Sequence, residues 1–401
     1  MKLAPEGHLT YCSNIHPGET WPEVFQALKT HLPVVREKVS PGQPMGIGLR
    51  LSHQASLELL AWGTGEFTDW MKQHGFYVFT MNGFPYGGFH RQKVKDQVHQ
   101  PDWTTPERVD YTIRLFDILA RLLPEGQQGG ISTSPLSYKH WWSPGQTEDV
   151  FRRSTENIIK VLKHLHEYYR HQGILMHLDI EPEPDGLIEN SKETVQYFEK
   201  WLLPMARETL GVELGLSHEE VDQMVLRHIT ICYDVCHFAV AYESPAEVMQ
   251  KFEQAGISIG KIQISSALKK EFSGQSRAEV EAAFRNLDEP TYLHQVIARD
   301  ADGGLHQYPD LAPGLRYLND SRIVEWRTHF HVPVFVQSYG ILESTQEDIV
   351  EVLNLWSRSG VTSHLEVETY TWEVLPRELQ TEIDLSIARE LHWVLDQLKS
   401  S

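Results

Sequence analysis

Strand-like and helix-like stretches alternate along the whole chain, and this rhythm restricts the fold more than any single motif does. Extended runs are predicted at residues 9–14, 46–51, 76–82, 130–133, 174–180, 229–234, 259–265 and 364–370. Between them lie segments with apolar residues at helical spacing. Several close with a glycine just after the last periodic residue, as helix C-termini commonly do. Strand, helix and strand in succession imply parallel pairs joined by right-handed crossovers. Eight repeats predict an α/β fold of one domain over 1–401, a closed (β/α)8 TIM barrel rather than an open doubly wound sheet. No G-x-G-x-x-G or G-x-x-x-x-G-K-[ST] follows a strand, and the glycine-rich NGFPYGGF at 82–89 lacks phosphate-loop spacing. The rhythm breaks at 269–336, between the seventh and eighth strands, where the Gly/Pro-rich DADGGLHQYPDLAPG stands. A long irregular connection there is expected to form an insertion covering the C-terminal mouth as a lid.

Two strands show what the barrel encloses. In GILMHLDIEPEP, apolar Ile174, Met176, Leu178 and Ile180 alternate with His177, Asp179 and Glu181. In HITICYDVCH, Ile229, Ile231, Tyr233 and Val235 alternate with Thr230, Cys232 and Asp234, and His237 follows. Successive strand side chains point to opposite faces. The same parity sets Ile47, Leu49 and Leu51 against Arg50 and Ser52, Ile262 and Ile264 against Lys261, Gln263 and Ser265, and Leu365 and Val367 against His364, Glu366 and Glu368. A barrel packs its outer face on helices, so the polar parity is the interior.

Burying so many charges unpaired would cost several kcal/mol each. Either they neutralise one another or a divalent cation organises the acids. Glu181, Asp234 and Glu368 end their strands, where barrel chemistry sits. Glu366, one layer deeper, is a fallback ligand, while His177 and Asp179 are expected to be structural partners of Arg50 or Lys261. His329 and His331 in RTHFHVPVF share one side if extended, so both can reach a metal from the lid. His237 is read as a capping or substrate-side residue, and Cys232 and Cys236 as small core residues.

The net charge of −19, with no Lys/Arg-dense stripe, argues against nucleic-acid binding. No apolar run is long enough for membrane insertion, and MKLAPEGHLTYCSN has no signal-peptide core. Three cysteines make no disulfide framework, and a cytoplasmic setting is expected.

An acid at the end of strand five, D-x-x-H at strand six, a polar residue on strand seven and a glutamate on strand eight resemble the metal site of the xylose-isomerase-like barrels, the sugar-phosphate isomerase/epimerase superfamily. The resemblance implies one divalent metal (Mn, Mg or Zn) on Glu181, Asp234, Gln263 and Glu368, with His237 near the substrate. Gln263 stands where the family usually has His, a departure that bears on metal identity and catalysis. Stretches across the chain, LTYCSNIHPGETW, LDIEPEPDG, YDVCHFAVAYE and HLEVETYTWEVLP, are similar to a metabolite-traffic branch of that superfamily.

The expected function is therefore a metal-dependent isomerase or epimerase of a sugar-like or hydroxy-carbonyl metabolite. Glu181 and Glu368 would exchange the proton, and His237, Arg50, Lys261 and Trp372 would bind substrate. Expected partners are the small-molecule metabolite, a second copy of the chain, or proteins of the same metabolite cluster. Two alternatives stand beside this. One is a non-catalytic barrel holding a metabolite at a mouth rich in Trp141, Trp142, Tyr370 and Trp372; the other is a metal-dependent hydrolase or nuclease.

Overall fold

The computed structural model describes residues 1–3, 7–88, 95–272, 276–288, 292–369 and 382–400. Eight parallel strands surround one axis: β1 (Gly7–Tyr11), β2 (Met45–Arg50), β3 (Phe76–Asn82), β4 (Gly129–Thr133), β5 (Met176–Ile180), β6 (Ile229–Asp234), β7 (Ile259–Ile264) and β8 (His364–Val367). They neighbour one another in chain order, and β8 returns to pair with β1 from His364↔His8 to Val367↔Tyr11. The chain forms the (β/α)8 barrel that its alternation predicts.

The seam between β1 and β2 is closed mainly by side chains. One backbone bridge pairs Cys12 with Gly48. Beside it, the Thr10 hydroxyl accepts from the Gly48 amide at 3.2 Å and donates to the Gly46 carbonyl at 2.8 Å. Ser13 Oγ accepts from the Arg50 amide at 2.9 Å. These oxygens satisfy buried ladder groups that would otherwise be left without partners.

Gly75, Gly173, Gly215 and Gly360 end helices in the left-handed conformation, as the sequence pattern predicts. The segment after β2 divides into two helices, His53–Trp62 and Gly65–His74, because Gly63 turns the chain at φ 83°. Helices at His218–His228 and Ile383–Ser400, which the alternation did not single out, complete the outer layer. Outward-facing Ile47, Leu49, Leu178, Ile180, Ile229, Ile231, Ile262, Ile264, Leu365 and Val367 are buried under these helices.

The inward parity is equally buried, and glycines make the room it needs. A Cβ at Gly260 would lie 2.1 Å from Asp179 Oδ1, and one at Gly48 would lie 2.4 Å from Glu366 Oε2. Beside Asp179 and Glu366, a neighbouring strand yields its side chain.

Between β7 and β8 the chain builds a second, six-stranded antiparallel sheet from segments spanning Leu268–Glu271 to Leu342–Ser344. Val296–Asp300 is one of its strands. This sheet packs its own apolar cluster around Trp326, Phe284, Val296 and Leu311.

Glu390, on Ile383–Ser400, accepts from Thr369 Oγ1 at 2.6 Å and from the Val334 amide at 3.1 Å. Burial pushes its carboxyl up from 4.5 to about 7, against those two hydrogen bonds. The native state then keeps a proton that the unfolded chain has released, so this group's contribution to stability falls as pH rises from 4.5 to about 7 and is level above. Glu390→Gln, which mimics the protonated acid, is expected to melt progressively higher than wild type across that window. Equal melting differences at pH 4.5 and pH 8 would contradict it.

Candidate metal centre at the barrel mouth

Three carboxylates from different strands meet at the C-terminal end of the barrel. Glu181 follows β5, Asp234 ends β6 and Glu368 follows β8, and one oxygen from each lies within 4.8 Å of the others. All three residues are buried. Asp234 caps the helix Val235–Val240: its Oδ1 accepts from the His237 amide at 3.1 Å and from Ser265 Oγ at 2.7 Å. Its Oδ2 is buried with no hydrogen-bond partner. Asn14 Nδ2 donates to Glu368 Oε1 at 2.7 Å, and Gln263 Nε2 donates to Glu368 Oε2.

Burial first, and then repulsion from Glu368 and Asp234, pushes the Glu181 carboxyl well above its usual range. Burial and Asp234 push Glu368 up to about 8. Converging, desolvated acids with one orphaned oxygen fit a hard divalent cation, which takes oxygen ligands. The residues present suit the group that the sequence implies.

Glu181 and Glu368 line a cavity of about 70 Å³, together with Asn14, Asn82, Phe84, His99, Glu183, His237, Tyr292, Gln295, His329 and His331. The segment between β7 and β8 thus forms part of its wall. His329 and His331, expected from the lid, lie beside His237: His329 Nε2 is 3.1 Å from His237 Nε2 and 3.2 Å from His331 Nε2. Burial and the neighbouring imidazoles lower His237 and His329 well below the usual histidine range, and burial lowers His331.

Several predicted residues are placed elsewhere. Arg50 donates to the Gly18 carbonyl at 3.2 Å, to Glu19 at 3.1 Å and to the Pro85 and Gly87 carbonyls, binding two loops rather than facing the cavity. Lys261 lies deeper than the acids, with Nζ 3.2 Å from Glu366, 3.2 Å from Asn82 Oδ1 and 3.3 Å from Ser132 Oγ. Burial pulls its ammonium down, but Glu366 and the surrounding acidic groups outweigh this and raise it. Lys261 is therefore the counter-ion of Glu366, which removes the one from substrate binding and the other from the ligand set.

His177 and Asp179 pair with each other at 2.5 Å, and Thr230 donates to Asp179; neither reaches Arg50 or Lys261. Gln263 turns its amide nitrogen to Glu368, and its oxygen accepts from Cys232 Sγ at 2.7 Å, so it holds a ligand instead of presenting an oxygen. Trp141 and Trp142 do not line the cavity. Tyr370 and Trp372 lie outside the described residues.

Asn82, Asn14, His99, Glu183 and Gln295 are among the lining residues that went unpredicted. Asn82 shares its alternation on β3 with Thr80 but also with the apolar core residues Phe76 and Val78, and the β2–β3 ladder shifts register between Val78 and Thr80, so parity does not announce it. Asn14 and His99 come from short 3-10 helices and Glu183 and Gln295 from irregular segments, where no periodicity announces a direction.

No protein-family model matches the chain, and no curated protein matches it in sequence. Solved structures do match. A xylose isomerase-like TIM barrel protein from Mycobacterium smegmatis, in complex with magnesium, is similar with TM-score 0.51 and 12% identity over 100% of this chain and 99% of that one. An IOLI protein with a binding zinc atom is similar with TM-score 0.49 and 11% identity, over 98% of each chain. A D-tagatose 3-epimerase-like protein follows with TM-score 0.48 and 10% identity, also over 98% of each chain. The fold is that of the xylose isomerase-like TIM barrels.

Proposed function

We propose that the chain is a metal-dependent, isomerase- or epimerase-like barrel protein acting on a sugar-like or hydroxy-carbonyl small molecule. The observation that carries this reading is the carboxylate cluster of Glu181, Asp234 and Glu368, of which Glu181 and Glu368 line a cavity at the barrel mouth. The Mycobacterium smegmatis barrel of the same fold, in complex with magnesium, supports the choice of a hard cation.

Glu181, Asp234 and Glu368 would hold one divalent ion, Mg or Mn by their oxygen chemistry. When bound, it supplies the charge that polarises a substrate carbonyl and steadies the oxyanion formed from it. Glu181 and Glu368 would take and return a proton at the carbon beside that carbonyl. Asn14 and Gln263 keep Glu368 in place for that task.

The stretches resembling the metabolite-traffic protein EboE carry Asn14, Glu181, Glu183, Asp234, His237 and Glu368, so the resemblance falls on the residues of this site. It supports a role in the biosynthesis or traffic of a specialised metabolite, with proteins of that cluster or a second copy as partners. Three buried free cysteines agree with a reducing cytoplasm. Among the described residues no helix is long and apolar enough to cross a membrane.

One observation favours a second reading, a metabolite-binding barrel without turnover. Gln263 and Asn14 engage both oxygens of Glu368, which restrains it as a proton carrier. The deciding experiment incubates metal-loaded protein with a panel of aldoses, ketoses, polyols and hydroxy-carbonyl acids in D2O. Uptake of one carbon-bound deuterium by a panel member is expected. Calorimetric binding of a member with no exchange would replace the isomerase reading by the binding one.

A further inference from the structure

The geometry points to an amine-reading subsite in the mouth cavity, where Glu183 and His99 bind an amino group carried by the hydroxy-carbonyl substrate; this rests on the function proposed above. Both residues line the cavity and both are buried, Glu183 at 8% exposure and His99 at 2%. They arrive from separate parts of the fold. Glu183 follows β5, two residues beyond Glu181, and His99 ends the short 3-10 helix Lys95–His99 after β3. His99 Nδ1 stands 3.7 Å from Glu183 Oε1, too far for a hydrogen bond. Neither side chain is hydrogen-bonded to another described residue, and His99 Nδ1 is buried without a partner. No lysine or arginine among the described residues pairs with Glu183. Buried polar groups are nearly always partnered, so a pair facing a cavity in this state asks for a ligand.

Other polar groups of the same wall are already engaged. Gln295 Oε1 accepts from His329 Nδ1 at 2.8 Å, and its Nε2 donates to the Pro184 carbonyl at 3.1 Å. Asn82 donates to Glu366 at 3.2 Å and accepts from Lys261 at 3.2 Å. Lys95 directs its ammonium to the Tyr292 carbonyl at 2.6 Å and to Asp310 at 2.7 Å. Glu183 and His99 have no such commitments.

What the pair recognises follows from its chemistry. A carboxylate only accepts hydrogen bonds, so the ligand must bring donors. An ammonium brings three, together with the positive charge that a buried carboxylate needs. A phosphate or carboxylate on the substrate would meet like charge at Glu183, and Lys95 is already occupied. Phe84, whose ring centroid lies 5.5 Å from that of His99, stands beside the pair with Val98 and Leu293 in the cavity wall. Apolar surroundings strengthen a charge-assisted contact.

The test is titration calorimetry on full-length, metal-loaded protein at about pH 6.5, where an α-amino group carries its proton. It compares aminoacetone with hydroxyacetone, and fructosamine with fructose. In at least one pair the amine is expected to bind at least roughly tenfold tighter, and Glu183→Gln should erase that preference while moving the hydroxy compound less than about threefold. Should Glu183→Gln not fold by circular dichroism, the wild-type ratio and Glu183→Asp carry the test, since the shorter acid withdraws the charge and should weaken the amine alone. Equal affinities in both pairs, the result of a Glu183 that stays protonated and reads a hydroxyl as well, overturn the proposal. A preference that persists in Glu183→Gln overturns it too, as does binding of none of the four. If the preference is found but no compound of the panel takes up deuterium, this subsite stands and the isomerase reading falls. If a panel compound without an amine takes up deuterium while the amines do not bind, the isomerase reading stands and this inference falls.

Discussion

Asp234→Asn is expected to leave the barrel folded while stripping Mg²⁺ or Mn²⁺ from the carboxylate cluster and lowering proton exchange by roughly 10²–10⁴-fold. Asparagine caps helices as well as aspartate does, so the hydrogen bond from the His237 amide that starts Val235–Val240 survives the change. What disappears is the negative charge, and with it the anionic oxygen that stands unpartnered beside Glu181 and Glu368. Metal content by elemental mass spectrometry and deuterium uptake by substrate report the two losses separately. A variant that melts like wild type, holds as much metal and exchanges as fast would sink the metal-centre reading.

Lys261→Met is expected to destabilise the protein by about 3–5 kcal/mol, the usual result of leaving a buried charge without its partner. Lys261 and Glu366 are both fully buried, 3.2 Å apart in the barrel interior. Glu366 Oε2 already lacks a hydrogen-bond partner, so loss of the ammonium leaves that carboxylate only the Asn82 amide at 3.2 Å. Against a typical total stability of about 5–15 kcal/mol, such a loss is large. The double variant Lys261→Met/Glu366→Gln removes both charges and should recover much of it. Guanidinium midpoints measure all three proteins. A single variant that loses under about 1 kcal/mol would place the pair among weak, solvent-screened contacts, contrary to its burial.

The two expectations divide the barrel interior into levels with different tasks. Deepest, His177 and Asp179 pair with each other against Gly130 and Gly260. Above them Lys261 neutralises Glu366 beside Gly48. At the mouth no lysine among the described residues pairs with Glu181, Asp234 or Glu368, and there the unmet negative charge is left for a cation. Polar parity alone does not distinguish these levels, because every second residue of a strand points inward whatever its height.

Much of this was legible in the chain. Strand–helix alternation predicted the barrel, and the parity of β2, β5, β6, β7 and β8 identified its interior residues, Arg50 excepted in where its guanidinium goes. The acids at the strand ends were legible as well, since strand ends set height along the axis. Partners were not. Lys261 and Gln263 share a face with Asp234 and Glu368, yet one answers Glu366 and the other holds Glu368, according to side-chain length and the direction of an amide.

The chain by itself determined the barrel, its apolar outside and the identity of the carboxylates at its mouth, because periodicity is a local property and survives without knowledge of neighbours. Only the tertiary structure decided that Lys261 neutralises Glu366, that Asn14 and Asn82 face the cavity, and that His329 and His331 turn their ring nitrogens toward His237. Those outcomes join residues up to some 350 positions apart, as in the Asn14–Glu368 hydrogen bond spanning 354 residues. A charge or a lone pair responds to whatever lies within a few ångströms, and that company exists only once the barrel has closed.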